Sequence, residues 1–148
     1  MIDSTPRGAI DRLMQLSMLI QGDLGRYERE SGLTQARIHL LWVLGAAGPS
    51  QQRELAAALD VTPRNVTGLV DGLVASGHVT REPHPTDRRA TLVTPTAAGR
   101  AVIEENQAGY ADLAQQLFGD LDAARLADFS AVLDETITRF TRLMEEPG

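Results

Sequence analysis

Two short amphipathic helical patterns joined by a tight turn, a charged hairpin directly behind them, and long amphipathic stretches on both sides predict a mainly α-helical chain with a small β-wing. The expected architecture is a winged helix-turn-helix core flanked by long N- and C-terminal helices. At 148 residues with 43% hydrophobic side chains, the chain can hold one domain with extensions and a modest core.

The first helix is expected from Ala9 to about Ser31, where Ile10, Leu13, Met14, Ser17, Ile20, Leu24 and Tyr27 form one stripe with Leu16 and Leu19 beside it. A second runs from its cap Thr34 to about Ala46, ahead of Gly48 and Pro49, with Ile38, Leu41, Val43 and Leu44 as its buried face. Ser50 is placed to cap a third, short helix that presents Leu55, Ala56 and Leu59 on one side. After a turn from Asp60 to Pro63, Thr62 caps the fourth helix. Pro63 suits its first position because that N–H has no helical partner, and Val66, Leu69, Val70 and Leu73 recur at i, i+3, i+4 and i+7. Gly77 stops it. The opposite face carries Arg64, Asn65, Thr67, Gly68 and Asp71, small or polar groups near the N-terminal half, where a recognition helix meets base edges in the major groove.

VTRE, the loop PHPTD and RRATLVT then read as two strands joined by a stiff, charged connection, with Pro83 and Pro85 in the loop and Asp87, Arg88 and Arg89 at its far side. A stiff arm bearing arginine can enter a narrow minor groove, where negative potential is concentrated. The DNA-contact set is therefore Ser50 and Arg53 from the first helix of the motif, Thr62, Arg64, Asn65, Thr67 and Gly68 from the second, and Asp87, Arg88 and Arg89 from the wing. A negative charge at Asp71 would repel phosphate unless neutralised. It is expected to pair with a wing arginine, Arg89 first among them; Asp87 could instead orient Arg89 toward the groove, and the sequence leaves both open.

Helices follow from Thr96 to about Phe118, with Ile103, Tyr110 and Leu117 seven apart, and near the C-terminus, where Leu126, Phe129, Leu133, Ile137, Phe140 and Met144 recur every three or four residues. Three long amphipathic helices without a compact core of their own imply a partner; the alternative is that they wrap the core of their own subunit.

The stretch ELAAALDVTPRNVTGLVDGLVASGHVTREPHPTDRRATLVTPTAAG resembles the DNA-binding core of the MarR family of bacterial transcriptional regulators over about a third of the chain. Its most specific piece is Asp87-Arg88-Arg89 followed by Leu92-Val93-Thr94 and the Thr96–Gly99 run, similar to the family's wing signature. Pro95 departs from the leucine usual in the family, leaving Thr96 as the cap of the next helix. The resemblance implies a two-fold homodimer on double-stranded DNA, with an N-terminal dimerisation helix (1–33), a winged helix-turn-helix domain (34–95) and C-terminal dimerisation helices (96–148). It also implies an effector pocket between the dimerisation helices and the winged domain. Tyr27, Arg37, His39, Trp42 and Tyr110 are candidate contacts there for a small aromatic or carboxylate ligand, since Trp and Tyr offer flat apolar surface and Arg or His can pair with an acid. Taken singly, Trp42 also reads as packing and Arg37 as a solvated side chain.

The net charge of −6 divides unevenly along the chain: Ser50 to Arg100 holds six arginines and five acids, and the remainder eight arginines and fifteen acids. The DNA-facing segment is thus +1 and the flanks −7, which predicts strongly salt-sensitive binding. Without cysteine, disulfides, zinc-thiolate sites and thiol-based peroxide sensing are excluded. No apolar run has membrane-spanning length and the N-terminus lacks a signal-peptide core, so a cytoplasmic protein without a membrane partner is expected. His39, His78 and His84 fall on separate elements, Glu104 and Glu105 read as a solvated face, and neither a metal site nor any cofactor is expected. No nucleophile elbow, phosphate loop or paired carboxylate suggests an enzyme. The expected function is a regulator that represses from an inverted-repeat operator until a small molecule releases it. The alternative is a winged-helix protein-interaction module or an effector-independent regulator; the first of these would favour an apolar exposed face where Arg64, Asn65 and Thr67 stand.

Overall fold

The structure, a computed structural model, describes residues 2–146. Its order is α1 (Pro6–Ser31), α2 (Gln35–Ala47), α3 (Gln52–Leu59), α4 (Pro63–Ala75), β1 (Val79–Pro83), β2 (Thr91–Pro95), α5 (Ala97–Phe118) and α6 (Ala123–Glu145). The chain divides between Glu105 and Asn106 into two compact units.

In the first unit, α1 begins three residues earlier than the sequence pattern suggests, because Thr5 caps it by accepting from the Gly8 N–H at 3.1 Å and Pro6 occupies the first turn. Gly32, in the left-handed region at φ 73°, ends it. Thr34 caps α2 as expected. The α2 helix packs against α1, α3, α4 and β2, so apolar residues are needed on most of its sides. That is why Leu40, which a one-face reading omits, is fully buried beside Ile38, Leu41 and Leu44, whereas Val43 is only half-buried. Leu55, Val66, Val70, Leu73, Val79 and Val93 close the core from α3, α4 and the wing. Each such side chain contributes about 1.5–3 kcal/mol by leaving water.

One expected cap is corrected. The N-cap of α3 is Gln51, whose N–H donates to Glu54 Oε1 at 3.3 Å, and not Ser50. Ser50 is buried because its backbone pairs with β2, donating to Val93 O at 3.2 Å and accepting from Val93 N at 2.7 Å, while its hydroxyl donates to Gly48 O at 2.8 Å. The β1–β2 pair is antiparallel with Arg81 opposite Val93. Pro83 belongs to β1, and Arg88 and Arg89 precede β2.

Gly77, at φ 81°, turns the chain from α4 into β1. The base of the wing is then tied to α5: Thr96 donates its N–H to His78 O at 3.0 Å and its hydroxyl to Gly77 O at 2.6 Å, and accepts from the Gly99 N–H at 3.1 Å. Ile103 carries α5 into the core.

In the second unit, Asp122 caps α6 by accepting from the Arg125 N–H at 2.8 Å, and the rings of Phe118 and Phe129 lie 5.7 Å apart. No residue of α6 is buried, and Ile137, Phe140, Leu143 and Met144 are each more than 60% exposed.

Candidate nucleic-acid interface

The turn between α3 and α4 is set by Asp60, whose left-handed φ of 53° turns the following Val61 N–H back onto Ala56 O at 3.0 Å. Thr62 then accepts from the Asn65 N–H at 3.1 Å, which puts Arg64 and Asn65 in the first turn of α4, both exposed. Gly68 lies beyond them with nothing within 4 Å of where a Cβ would stand. Arg53 is exposed on α3.

Thr67 is exposed but occupied. Its hydroxyl donates to Pro63 O at 2.9 Å and accepts from Gln52 Nε2 at 3.1 Å. Gln52 Oε1 in turn accepts from Arg81 Nε at 3.0 Å, and Arg81 Nη2 donates to Asp71 Oδ1 at 2.5 Å. The expected partner of Asp71 is therefore corrected from Arg89 to Arg81. The strand places Arg81 on the same side as buried Val79, toward the helices, whereas Arg89 lies out in the connection. Asp87 serves the connection itself, accepting from the Arg89 N–H at 3.0 Å. His84 also holds the tip, its Nδ1 accepting from the N–H groups of Thr86 at 3.2 Å and Asp87 at 3.1 Å. The bracing contacts of Gln52, Arg81 and His84 were not legible, since each acts through a partner that only the strand register or the turn brings near.

Arg53, Arg64, Arg88 and Arg89 are exposed, and among the described residues none of them enters an ion pair. The candidate surface thus carries, among the described residues, two cations outside ion pairs on the helices and two on the wing, the kind of group that phosphate and base edges require.

Tyr27 packs on the core, and burial first, then the Glu105 carboxylate, pushes its phenol pKa up. Arg37 is half-buried with its guanidinium against α4, where a Cβ on Gly72 would meet Nη2 at 2.5 Å. His39 is exposed, Trp42 half-buried, and Tyr110 exposed in the second unit. An open groove of about 390 Å³ between the end of α1 and the start of α2 is lined by Gly25, Glu28, Arg29, Gly32, Leu33 and Thr34, with none of the five candidates in its wall. Among the described residues there is no cluster of His, Asp or Glu able to hold a metal, and no helix is long and apolar enough to cross a membrane.

A MarR family model matches residues 31–90. The multiple antibiotic resistance protein MarR of Escherichia coli is 31% identical over 115 residues, 77% of this chain and 80% of that protein. The HTH-type transcriptional repressor YetL of Bacillus subtilis is 30% identical over 100 residues, 66% of this chain and 60% of that protein. A crystal structure of a mutant E. coli MarR complexed with operator DNA superposes with a TM-score of 0.62 at 29% identity, covering 90% of this chain and 99% of that one. With the two helices, the interposed turn and the wing all in place, the chain belongs to the MarR family of DNA-binding, winged-helix transcriptional regulators.

Proposed function

We propose that the chain is a homodimeric repressor that binds an inverted-repeat operator and is released by a small aromatic or carboxylate effector. The observation that carries the DNA half of this reading is the pairing of an exposed, capped α4 N-terminus bearing Arg64 and Asn65 with a wing bearing unpaired Arg88 and Arg89. Such an arrangement suits base reading by the helix and groove or backbone contact by the wing. Repression takes its support from relatives such as YetL, named a repressor.

Dimerisation is supported by the apolar surface that a lone chain leaves in water. Leu13, Met14, Leu19 and Ile20 of α1 and Ile137, Phe140, Leu143 and Met144 of α6 are all more than a third exposed. Apolar surface of that extent on each of the two helices is unfavourable unless covered. Residues 1–33 and 96–148 are accordingly assigned to dimerisation and 34–95 to DNA. Cytoplasmic operation follows from a DNA target.

For the effector, Tyr27, His39, Trp42 and Tyr110 remain the candidate contacts, with Arg37 in a special position. Its guanidinium rests on Gly72 of the recognition helix. A ligand carboxylate that recruits Arg37 withdraws it from α4, which gives binding a route to the DNA-reading element.

Footprinting on the DNA upstream of its own gene tests the proposal. Paired protections with centres on the order of 34 Å apart are expected, lost on addition of an aromatic acid that also changes Trp42 fluorescence. Protection of one half-site by a single chain would refute the dimeric mode, and protections indifferent to every acid tried would favour an effector-independent regulator.

A further inference from the structure

Among the described residues, Arg81 is the wing arginine whose guanidinium is already engaged before any nucleic acid arrives. It stands on β1 opposite buried Val93, on the strand face turned toward the helices, and its planar head is divided between two of them. Nη2 reaches Asp71 on α4 at 2.5 Å, and Nε reaches Gln52 on α3 at 3.0 Å. Through Gln52 Nε2 the chain of contacts continues to the Thr67 hydroxyl at 3.1 Å, whose own proton is given to Pro63 O at 2.9 Å. A guanidinium can serve two acceptors in fixed directions at once; an ammonium on a flexible stem cannot reproduce that fork.

We propose that Arg81 is a positioning residue for sequence recognition, locking the wing to both helices of the motif and withdrawing Thr67 from base reading. This rests on the DNA-binding reading above. The Arg81 side chain is 34% exposed and that of Asp71 60% exposed, so the pair contributes little to folding stability. Its consequence is geometric. A bound duplex must meet the α4 N-terminus and the wing tip together, and a fixed angle between them spares the complex the cost of ordering the wing. Thr67 retains one free lone pair and no free donor, so hydrogen-bond donation to bases falls to Arg64 and Asn65.

The test uses the full chain, with Arg81→Lys, Arg81→Ala, Gln52→Ala and the double variant Arg81→Lys/Gln52→Ala. The probes are a duplex of about 30 bp enriched by the wild-type chain from a random pool, and a scrambled duplex of the same composition. Arg81→Lys keeps the charge and loses the fork. It is expected to weaken the enriched duplex about tenfold while leaving scrambled-duplex affinity, salt slope and melting midpoint at wild-type values. Adding Gln52→Ala to it is expected to cost little more, since both substitutions open the same brace. In the free variant, the backbone N–H groups of Glu82, His84 and Thr86 to Thr91 gain mobility by ¹⁵N relaxation.

The proposal is overturned if Arg81→Lys binds the enriched duplex like the wild type. It is equally overturned if Arg81→Ala weakens both duplexes alike and lowers the salt slope by about one, the mark of a phosphate contact. Independent, additive losses at Arg81 and Gln52 would also overturn it. Failure of the wild-type chain to enrich any duplex would instead remove the DNA-binding reading and the recognition role with it, an outcome distinct from all of these.

Discussion

Gly99 sits in the first turn of α5 where a Cβ would lie 2.0 Å from the His78 carbonyl oxygen and 3.1 Å from its carbon. Side chains essentially never approach that closely, so Gly99→Ala must push the α5 start and the base of the wing apart by about 1 Å. The displacement falls on two bonds, Thr96 N–H to His78 O at 3.0 Å and Thr96 hydroxyl to Gly77 O at 2.6 Å. Overpacking of this kind costs about 1–3 kcal/mol, and two weakened hydrogen bonds about 0.5–1.5 kcal/mol each. Alanine's better helix propensity returns about 1 kcal/mol. The expected net loss is about 3 kcal/mol, or about 6–12 °C in Tm for a chain of this size. Gly68→Ala is the control, because its Cβ meets nothing within 4 Å and only the propensity gain operates. Urea denaturation of wild type and both variants at one fixed protein concentration decides the matter, since dimerisation would otherwise enter the midpoint. Gly99→Ala as stable as Gly68→Ala would show that the α5–wing tie yields freely, and the reasoning would fall.

Arg64→Ala is expected to cost about 1–3 kcal/mol on an enriched duplex and much less on scrambled DNA, as measured by fluorescence anisotropy, because base contacts carry the discrimination. Arg89→Ala is expected to weaken both duplexes and lower the salt slope by about one, with the melting midpoint unchanged, since Asp71 has Arg81 as its partner. Tyr27 supplies a pH dependence. Its phenol pKa is raised above the usual 10.0 in the folded chain, so between the unfolded and folded values the unfolded chain ionises first. The contribution from keeping Tyr27 neutral is present below about pH 10 and is lost as pH rises through the folded value. Tyr27→Phe should therefore flatten the alkaline fall in chemical-denaturation stability; an unchanged fall would assign it to other groups.

Helix positions were legible wherever one periodic face and one cap sufficed: Thr34, Thr62 and Thr96 all accept from the N–H three residues on. The residues that went astray are those whose partners are remote in sequence. Ser50 has a capping side chain at the right place, but pairing with Val93, 43 positions away, pulls its backbone into the sheet and passes the cap to Gln51. Leu40 was missed because α2 is covered on several sides, which cancels the one-face pattern from which burial is read. For Asp71, charge logic identified the need for a wing arginine correctly, and only the β1 register decides that Arg81 meets it. The Arg37–Gly72 contact carries no local signal at all, since a glycine in mid-helix records the space and not its occupant.

The same placements explain how an acidic chain can engage a polyanion. Counting charges gives the Ser50–Arg100 segment only +1, yet the count treats every carboxylate as a partner for every arginine. Four of its five acids are held locally: Glu54 by the Gln51 N–H, Asp71 by Arg81, Glu82 by the Thr80 hydroxyl at 2.8 Å, and Asp87 by the Arg89 N–H. Only one of those four engages a guanidinium. Arg53, Arg64, Arg88 and Arg89 consequently stay outside any ion pair among the described residues, so phosphates need not displace a carboxylate to reach them. The −7 on the remaining residues acts through the solvent, where salt screens it within about 8–10 Å. Contact attraction and the repulsion from these acids therefore respond to salt in opposite senses: added salt weakens the first by counterion uptake and relieves the second. The strong salt sensitivity expected from the charge division is therefore corrected: the −7 offsets the counterion term, and the measured slope should fall below the number of phosphates contacted at low ionic strength and approach it as salt screens the acids.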